Sequence, residues 1–235
     1  MTYKKKIFIV SGGTGGHIFP ALSLINLLKL NYKIYLVTDK RGYKYIKQNP
    51  ELNIIGINSG KIFQKNILKF ILESLKLLFA FIYSFFILIL KRPKIVIGMG
   101  GYSSFPTCVS AFLLRIPVII YENNLVIGKA NRILLPFVKK ILVSTNDIKG
   151  VDQKFKKKIF QCGYLIRQEI LEASNDKKNI ETEQLSLLIL GGSQSAKIFG
   201  EVLTYEVIKC NQKGIKLKVF QQCLHSQLEK IKDLY

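Results

Sequence analysis

A glycine-rich segment that ends in a histidine is the first part of the sequence that could carry chemistry. Residues 12–17 read GGTGGH and follow the short apolar run from Ile7 to Val10. Glycines let backbone N–H groups approach a phosphate without a clash of side chains, and the N-terminus of a following helix adds partial positive charge. A glycine-rich turn of this kind also occurs for structural reasons alone, so the glycines by themselves are weak evidence for a binding site. The histidine at the end of the segment is what makes the motif specific. His17 lies where a bound hydroxyl group could reach it, and histidine is the most common base near neutral pH.

Three further loops could contact a ligand. Residues 98–102 end in Tyr102, which places an aromatic hydroxyl after an apolar run, and residues 121–124 place a carboxylate and two amides after the next run. Residues 191–194 form a second glycine turn, in which the Ser193 hydroxyl could bind a phosphate. Ligands bind at the carboxyl ends of the strands in open parallel sheets. We therefore expect a cleft between two Rossmann-like domains, each of which binds one substrate.

Short apolar runs alternate with helical segments along the chain, which predicts an α/β fold with a parallel sheet. The predicted strands of the first domain are residues 7–10, 34–37, 95–97, 118–121 and 141–144, of which the last closes the sheet. Pro20 suits the first turn of a helix that is predicted to run to about Leu30. The second domain is predicted to contain two strands, residues 187–190 and 216–220.

The distribution of polar residues divides the chain into domains. Residues 1–170 are predicted to form a Rossmann-like domain, and the polar residues 171–184 to form a linker. Residues 185–235 would then be a partial second Rossmann-like domain, because two strands and two helices do not make a stable one. Either further chain completes this domain, or it packs against the first domain or a partner.

The segment from residue 66 to residue 90 is unusually apolar. Its uncharged part, residues 77–90, is shorter than the roughly 17–25 residues that span a bilayer, and basic residues flank it. The favoured interpretation is a helix that lays its apolar face on an anionic membrane surface, with Phe81, Phe85 and Phe86 as contact residues. One alternative is a buried core helix. The other is a true membrane span, but a span would interrupt the α/β sheet.

The composition limits the classes of function. Lys and Arg number 36 against 15 Asp and Glu, so the net charge is +21 and favours anionic partners. A general enrichment in lysine explains this charge equally well, and a nucleic-acid-binding role is weak because the basic residues are scattered without a recognised motif. The four cysteines match no metal or redox spacing and are expected to be reduced thiols. No secretory signal is recognised, so the catalytic site is expected to face the cytoplasm.

The loops occur in an order that resembles the MurG family of bacterial glycosyltransferases. The matching segments are GGTGGH followed by IFPAL, then GMGGY, then ENN with Gly128 and Asn131, and finally GGSQ. The resemblance implies a GT-B architecture whose N-terminal domain takes lipid I, undecaprenyl-pyrophosphoryl-MurNAc-pentapeptide, at the inner face of the cell membrane. It implies that the C-terminal domain takes UDP-N-acetylglucosamine (UDP-GlcNAc) and that the product is lipid II of peptidoglycan synthesis. It implies no cofactor, no metal and no nucleic acid.

The same resemblance assigns roles in the reaction. Thr14, Gly15 and Gly16 would contact the substrate diphosphate or sugar, while His17 and Tyr102 would lie at the reaction centre. The implied reaction inverts the anomeric carbon, because the acceptor's 4-hydroxyl attacks that carbon while a base removes the hydroxyl proton and UDP leaves. We expect His17 to be that base or its close partner.

Four further residues follow from the resemblance. Glu122 is the rival base and, with Asn124, matches the family's H-E-x-N segment. Arg167 and Ser193 match residues on the donor side, where a guanidinium suits a phosphate. Tyr121 departs from the family, which has histidine before the glutamate.

The family keeps its uridine-recognition residues in a segment that would follow residue 235. We therefore expect this chain alone not to turn over, whereas an enzyme in which a C-terminal part is supplied would be active. The alternative is a membrane-bound remnant that binds only the lipid acceptor.

Overall fold

The computed structural model describes residues 4–46, 51–60, 66–175, 185–191 and 195–235. The chain divides into two compact units, Met1–Asp176 and Lys177–Tyr235. Of the predicted linker, residues 171–175 end a helix of the first unit, and residues 176–184 lie outside the described part of the chain.

The first unit contains a seven-stranded parallel sheet in the order β3-β2-β1-β4-β5-β6-β7. The strands are β1 Lys6–Val10, β2 Lys33–Thr38, β3 Asn53–Gly56, β4 Ile95–Gly98, β5 Val118–Glu122, β6 Lys140–Val143 and β7 Ile159–Gln161. The predicted α/β class with a parallel sheet is confirmed. The prediction that residues 141–144 close the sheet is wrong, because β7 pairs beyond β6, and β3 forms an edge that was not predicted.

The central strands are buried on both faces, as expected for continuous apolar runs in a parallel sheet. In β1, Phe8 and Val10 join the core on one face of the sheet, while Ile7 and Ile9 join the core on the other. This alternation follows from the two-residue period of a strand. The strand ends at Val10, so the glycine segment that begins at Gly12 leaves from the carboxyl end of β1.

The helices of the first unit are α1 Gly15–Leu28, α2 Lys40–Tyr43, α3 Ile67–Lys91, α4 Ser104–Leu113, α5 Lys129–Leu134 and α6 Gln168–Asn175, with 3₁₀ turns at Leu135–Phe137 and Gln153–Lys158. Helix α1 begins at Gly15, so the expectation that Pro20 opens it is wrong. Pro20 has no N–H, which leaves the carbonyl of Gly16 without its usual helical partner. The helix starts early enough to place residues of the glycine segment in its first turn.

Helix α3 is both a core helix and an exposed apolar surface. It packs on α4, where Ser84 Oγ and Thr107 Oγ1 share a buried hydrogen bond of 2.9 Å and Ser110 Oγ donates to the carbonyl of Phe81. Among the described residues it is the one helix that is long and apolar enough to cross a membrane, judged by length and composition alone. Only 17% of its most apolar window is buried.

The second unit, as far as it is described, contains two parallel strands, β8 Leu185–Ile189 and β9 Leu217–Gln221. They are accompanied by α7 Ser195–Gln212, a 3₁₀ turn at His225–Gln227 and α8 Leu228–Leu234. The predicted strand, helix and second strand are therefore present, while residues 192–194 of the predicted turn lie outside the described part of the chain. Leu185, Leu188 and Leu190 are exposed by 67%, 63% and 63%, so this small sheet leaves much apolar surface uncovered.

The hydrogen bond between Ser84 and Thr107 should contribute measurably to stability. Ser84→Ala leaves a buried hydroxyl without its partner, so we expect the free energy of unfolding to fall by about 1–3 kcal/mol. The double variant Ser84→Ala with Thr107→Val should lose less free energy of unfolding than the sum of the losses in the two single variants. Urea denaturation of the four proteins measures this, and a Ser84→Ala protein as stable as the wild type would contradict it.

Candidate active site

The carboxyl ends of β1 and β4 bring the first two glycine loops into direct contact. A Cβ atom built on Gly101 would lie 2.6 Å from the carbonyl oxygen of Gly12, and one built on Gly12 would overlap the Ser103 hydroxyl. Gly100 and Gly101 also have positive φ angles, of 93° and 82°, which residues with side chains rarely adopt. The two loops thus pack backbone against backbone and require glycine at these positions.

His17 lies in the first turn of α1 with its ring against the second glycine loop. A Cβ atom on Gly100 would come within 2.8 Å of the ring atoms Cε1 and Nδ1, so glycine leaves the room that the imidazole occupies. The ring lines a cavity of about 210 Å³ together with Tyr102, Glu122 and Asn131. The structure therefore brings together His17, Tyr102 and Glu122, all three of which were predicted to take part in the reaction.

The surroundings of His17 keep its imidazole neutral. Burial lowers the pKa of His17 most strongly, the charge of Glu122 and a hydrogen bond to the Met99 backbone raise it, and the charge of Arg41 lowers it again. The net result is a pKa below the ordinary value of 6.5. A neutral ring has one N–H donor, and the other nitrogen is an acceptor. Because the backbone hydrogen bond occupies the donor, the acceptor nitrogen can receive a proton.

Glu122 is buried and fully occupied by hydrogen bonds. Its Oε1 accepts from the backbone N–H and the side-chain amide of Asn124, at 3.1 and 2.8 Å. Its Oε2 accepts from the backbone N–H of Gly128 and the side-chain amide of Asn131, at 2.8 and 3.0 Å. The carboxylate therefore holds the loop that follows β5 in a closed turn. Asn131, which matches the motif but was given no role, completes this network.

The beginning of α1 presents unpaired backbone donors beside the cavity. Thr14 precedes the helix in an extended conformation, and its carbonyl accepts from the N–H groups of His17 and Ile18 at 3.1 and 3.3 Å. The first N–H groups of a helix, here those of Gly15 and Gly16, have no partner within the helix and can bind an anion. The three predicted contact residues of this loop thus lie together at the helix N-terminus.

Asp39 and Arg41 form a part of the site that the sequence prediction missed. Asp39 directly follows β2, the strand next to β1, and its Oδ1 accepts from the backbone N–H groups of Gly13, Arg41 and Gly42 at 3.3, 3.0 and 2.9 Å. Its Oδ2 accepts from the guanidinium of Arg41. Burial alone would raise the pKa of Asp39, but these hydrogen bonds outweigh burial and leave that pKa below its ordinary value. The ionised carboxylate ties the glycine loop to α2.

Tyr121, the residue that departs from the family pattern, joins β5 to a distant segment. Its hydroxyl accepts from the N–H of Leu165 at 3.2 Å and lies 3.2 Å from both the carbonyl of Gly163 and Oδ1 of Asn123. Burial contributes most to raising the pKa of Tyr121, so the hydroxyl stays protonated and can donate. The tyrosine therefore positions the segment that leads to Arg167.

The remaining predicted residues lie elsewhere. The guanidinium of Arg167 stacks 4.6 Å from the ring centre of Phe19 and lines a separate cavity of about 560 Å³ with Phe19 and Tyr45. Ser193 lies outside the described residues. Within the described ranges, no group of three His, Cys, Asp or Glu side chains is arranged to hold a metal ion.

The family model of the glycosyltransferase family 28 N-terminal domain matches residues 7–143, which is more than half of the chain. A relative from Rickettsia felis, named UDP-N-acetylglucosamine–N-acetylmuramyl-(pentapeptide) pyrophosphoryl-undecaprenol N-acetylglucosamine transferase, is 36% identical; the match covers 98% of this chain and 65% of the relative. A relative of the same name from Francisella tularensis is 38% identical over 98% of this chain and 64% of the relative. This chain thus spans just under two thirds of the length of these two relatives.

Solved structures show the same fold. The crystal structure of MurG from Acinetobacter baumannii has a TM-score of 0.72 at 24% identity and covers 98% of this chain and 62% of that protein. A UDP-GlcNAc 2-epimerase from Neisseria meningitidis, bound to UDP-GlcNAc, has a TM-score of 0.59 at 16% identity, with 97% of this chain and 69% of that protein covered. At these identities the likeness concerns the fold alone. The match to the family model, which spans the strands and loops that build the cavity, means that the chain belongs to glycosyltransferase family 28.

Proposed function

We propose that this chain supplies the acceptor-binding domain and the catalytic base of an enzyme that transfers N-acetylglucosamine from UDP-GlcNAc to lipid I. The observation that carries the proposal is the neutral imidazole of His17, which lines the cavity at the junction of two glycine loops. The names of the relatives from Rickettsia felis and Francisella tularensis support the same donor sugar and a lipid-linked acceptor.

The reaction needs a base beside the acceptor hydroxyl. The acceptor's 4-hydroxyl oxygen forms a bond to the anomeric carbon of N-acetylglucosamine, the bond from that carbon to the phosphate oxygen breaks, and UDP leaves with the electron pair. The hydroxyl proton passes to the acceptor nitrogen of His17. Tyr102, on the wall of the same cavity, is available to orient the sugar through its hydroxyl.

Glu122 acts in this proposal as a positioning residue and not as the base. Its two oxygens already accept four hydrogen bonds from the loop after β5. These four donors use the lone-pair directions of both oxygens, so none is left to face an acceptor hydroxyl. The negative charge instead acts on the nearby imidazole, whose pKa it raises and whose protonated form it stabilises.

Two residues of this chain are predicted to bind the donor. Arg167 and Ser193 stay predicted ligands of the donor phosphates, and the relatives that carry this activity are longer than this chain. We therefore propose that turnover requires a C-terminal part in addition to the 235 residues present. The first unit would bind the lipid acceptor in either case.

The exposed face of α3 is proposed to lie on the anionic inner surface of the cell membrane. Phe79, Phe86 and Leu90 are exposed by 68%, 60% and 76%, whereas the predicted contacts Phe81 and Phe85 are half-buried and face each other at 6.3 Å. Of the three phenylalanines chosen from the sequence, Phe86 alone is well exposed. An apolar helix face flanked by basic residues is the pattern of a peripheral membrane contact.

Replacement of the proposed base should remove transfer and its pH dependence together. We expect His17→Gln to lower kcat by about 10²–10⁴-fold, because proton removal by a positioned base contributes that much. In the unaltered protein, activity should fall on acidification with a midpoint below 6.5, as the imidazole becomes protonated, and His17→Gln should lack this acidic limb.

The measurement is transfer of labelled N-acetylglucosamine to lipid I by this chain alone and by this chain fused to the C-terminal part of the Rickettsia felis relative. His225→Gln, which alters the other histidine at an exposed position, is the control. Full activity of the His17→Gln fusion would contradict the role of His17, and activity of the chain alone would contradict the need for a C-terminal part.

The positioning role of Glu122 predicts a loss of stability from an isosteric change. Glu122→Gln places an NH₂ group against two of the four donors, so we expect the free energy of unfolding to fall by about 2–4 kcal/mol. Glu206→Gln, at an exposed position paired with Lys209, should change it by less than about 1 kcal/mol. Urea denaturation measures both proteins. A Glu122→Gln protein of unaltered stability that has lost activity would instead favour Glu122 as the base.

The membrane proposal predicts that two exposed residues of α3 are needed for binding to lipid. Phe79→Asp with Phe86→Asp should abolish co-sedimentation with liposomes that contain anionic lipid, since charged groups oppose burial in the interface. Leu27→Asp with Leu30→Asp, at positions on and just after α1 that are exposed by 67% and 76%, is the matched control and should bind as the wild type does. If both variants lose liposome binding equally, or if neither variant loses it, the α3 surface is excluded as the contact.

A further inference from the structure

We infer that Arg41 binds the diphosphate group of the lipid-linked acceptor, held in place for this task by Asp39. The inference rests on the proposed function and adds a cationic residue to a site in which the loops otherwise supply backbone donors. Three features carry it: the fixed position of the guanidinium, its unused donors, and its place over the first glycine loop.

Asp39 fixes the guanidinium from one side. The Nη2 and Nε atoms of Arg41 donate to Oδ2 of Asp39 at 2.7 and 3.2 Å. The other oxygen of the same carboxylate accepts from the backbone N–H groups of Gly13, Arg41 and Gly42. One carboxylate therefore orients both the arginine and the glycine loop, so their relative position is determined by a single buried group.

The guanidinium keeps donors for a ligand. It has five N–H groups, of which two are directed to Asp39, and no other hydrogen-bond acceptor for it is found within the described ranges. Its side chain is 49% exposed, whereas that of Asp39 is 9% exposed. A pair that served only to neutralise the buried carboxylate would not need a second edge of the guanidinium to face solvent.

The guanidinium lies over the backbone of Gly13. A Cβ atom built on Gly13 would be 3.8 Å from Nη2, and the φ angle of this residue is +85°. Glycine thus leaves a space that is bounded by loop backbone on one side and by the cation on the other. The charge of Arg41 also reaches His17, whose pKa it lowers.

A diphosphate suits this space better than a single carboxylate or a neutral sugar. The N–H groups at the start of α1 can bind one phosphate, and the planar fork of an arginine can bind two oxygens of the other. In lipid I the diphosphate and the hydroxyl that reacts are on opposite sides of one sugar ring. Arg41 lies over Gly13, and His17 follows Gly13 by four residues at the end of the same glycine segment. Arg41 is therefore placed to contact the diphosphate, and His17 to contact the hydroxyl that reacts.

The experiment measures binding of geranyl diphosphate, a soluble prenyl diphosphate, to the 235-residue chain by calorimetry or NMR titration. We expect Arg41→Gln to weaken binding by about 10-fold or more, as the loss of a charge-assisted hydrogen bond does. Lys40→Gln, the neighbouring exposed charge on the same short helix, should weaken it by less than about twofold. Arg41→Lys, which keeps the charge but loses the fork, should fall between them.

The arms of this experiment separate the possible failures. Equal binding by Arg41→Gln and the wild type overturns the inference about Arg41 and leaves the proposed function intact. Wild-type protein that binds no geranyl diphosphate overturns both, and a defect seen with UDP but not with geranyl diphosphate overturns the assignment to the acceptor. If Arg41→Gln does not fold, Arg41→Lys is tested with geranyl diphosphate and geranyl monophosphate. Affinity for the diphosphate and preference for it over the monophosphate that both equal those of the wild type would overturn the inference.

Discussion

The close contact between the two glycine loops is the constraint on which the rest of the site depends. The carbonyl of Gly12 lies where a side chain on Gly101 would be, and the imidazole of His17 lies where a side chain on Gly100 would be. Any other residue at these two loop positions would push the second loop away from the first. The cavity that His17 and Tyr102 share would then open, and the second loop would no longer cover the ring.

The sheet brings these loops together, because β1 and β4 are neighbours although 84 residues, 11–94, lie between the end of β1 and the start of β4. Val10 pairs with Gly98, and the N–H of Met99 donates to the carbonyl of Val10 at 2.8 Å, so both loops leave the sheet at the same level. A shift of one residue in this register would turn every side chain of β4 to the opposite face. The two hydrophobic cores therefore specify the geometry of the site as well as the stability of the fold.

The sequence predicted the centre of this fold well and its edges poorly. Continuous apolar runs identify the buried strands, but β3 and β7, of four and three residues, are partly exposed and have no such run. Pro20 suggested a helix start, but α1 begins earlier, at Gly15, and Pro20 lies inside it. The carboxylate of Glu122 could be located at a strand end but not given its role, because that role depends on donors from Gly128 and Asn131 that the fold brings to it.

The direction of α3 determines which of its exposed apolar residues lie near the active site. It follows β3 and precedes β4, so in a right-handed crossover it runs antiparallel to the strands, and its first turns lie toward their carboxyl ends. Those turns carry Ile67, Leu68 and Phe70, exposed by 70%, 69% and 47%. The exposed apolar residues of these first turns and the glycine loops thus occur toward the same edge of one sheet, whereas Phe86 and Leu90, near the end of α3, lie toward the opposite edge. If α3 lies on the membrane as proposed, a substrate whose diphosphate rests on the loops could leave its hydrocarbon chain in that membrane without moving the sugar away from His17.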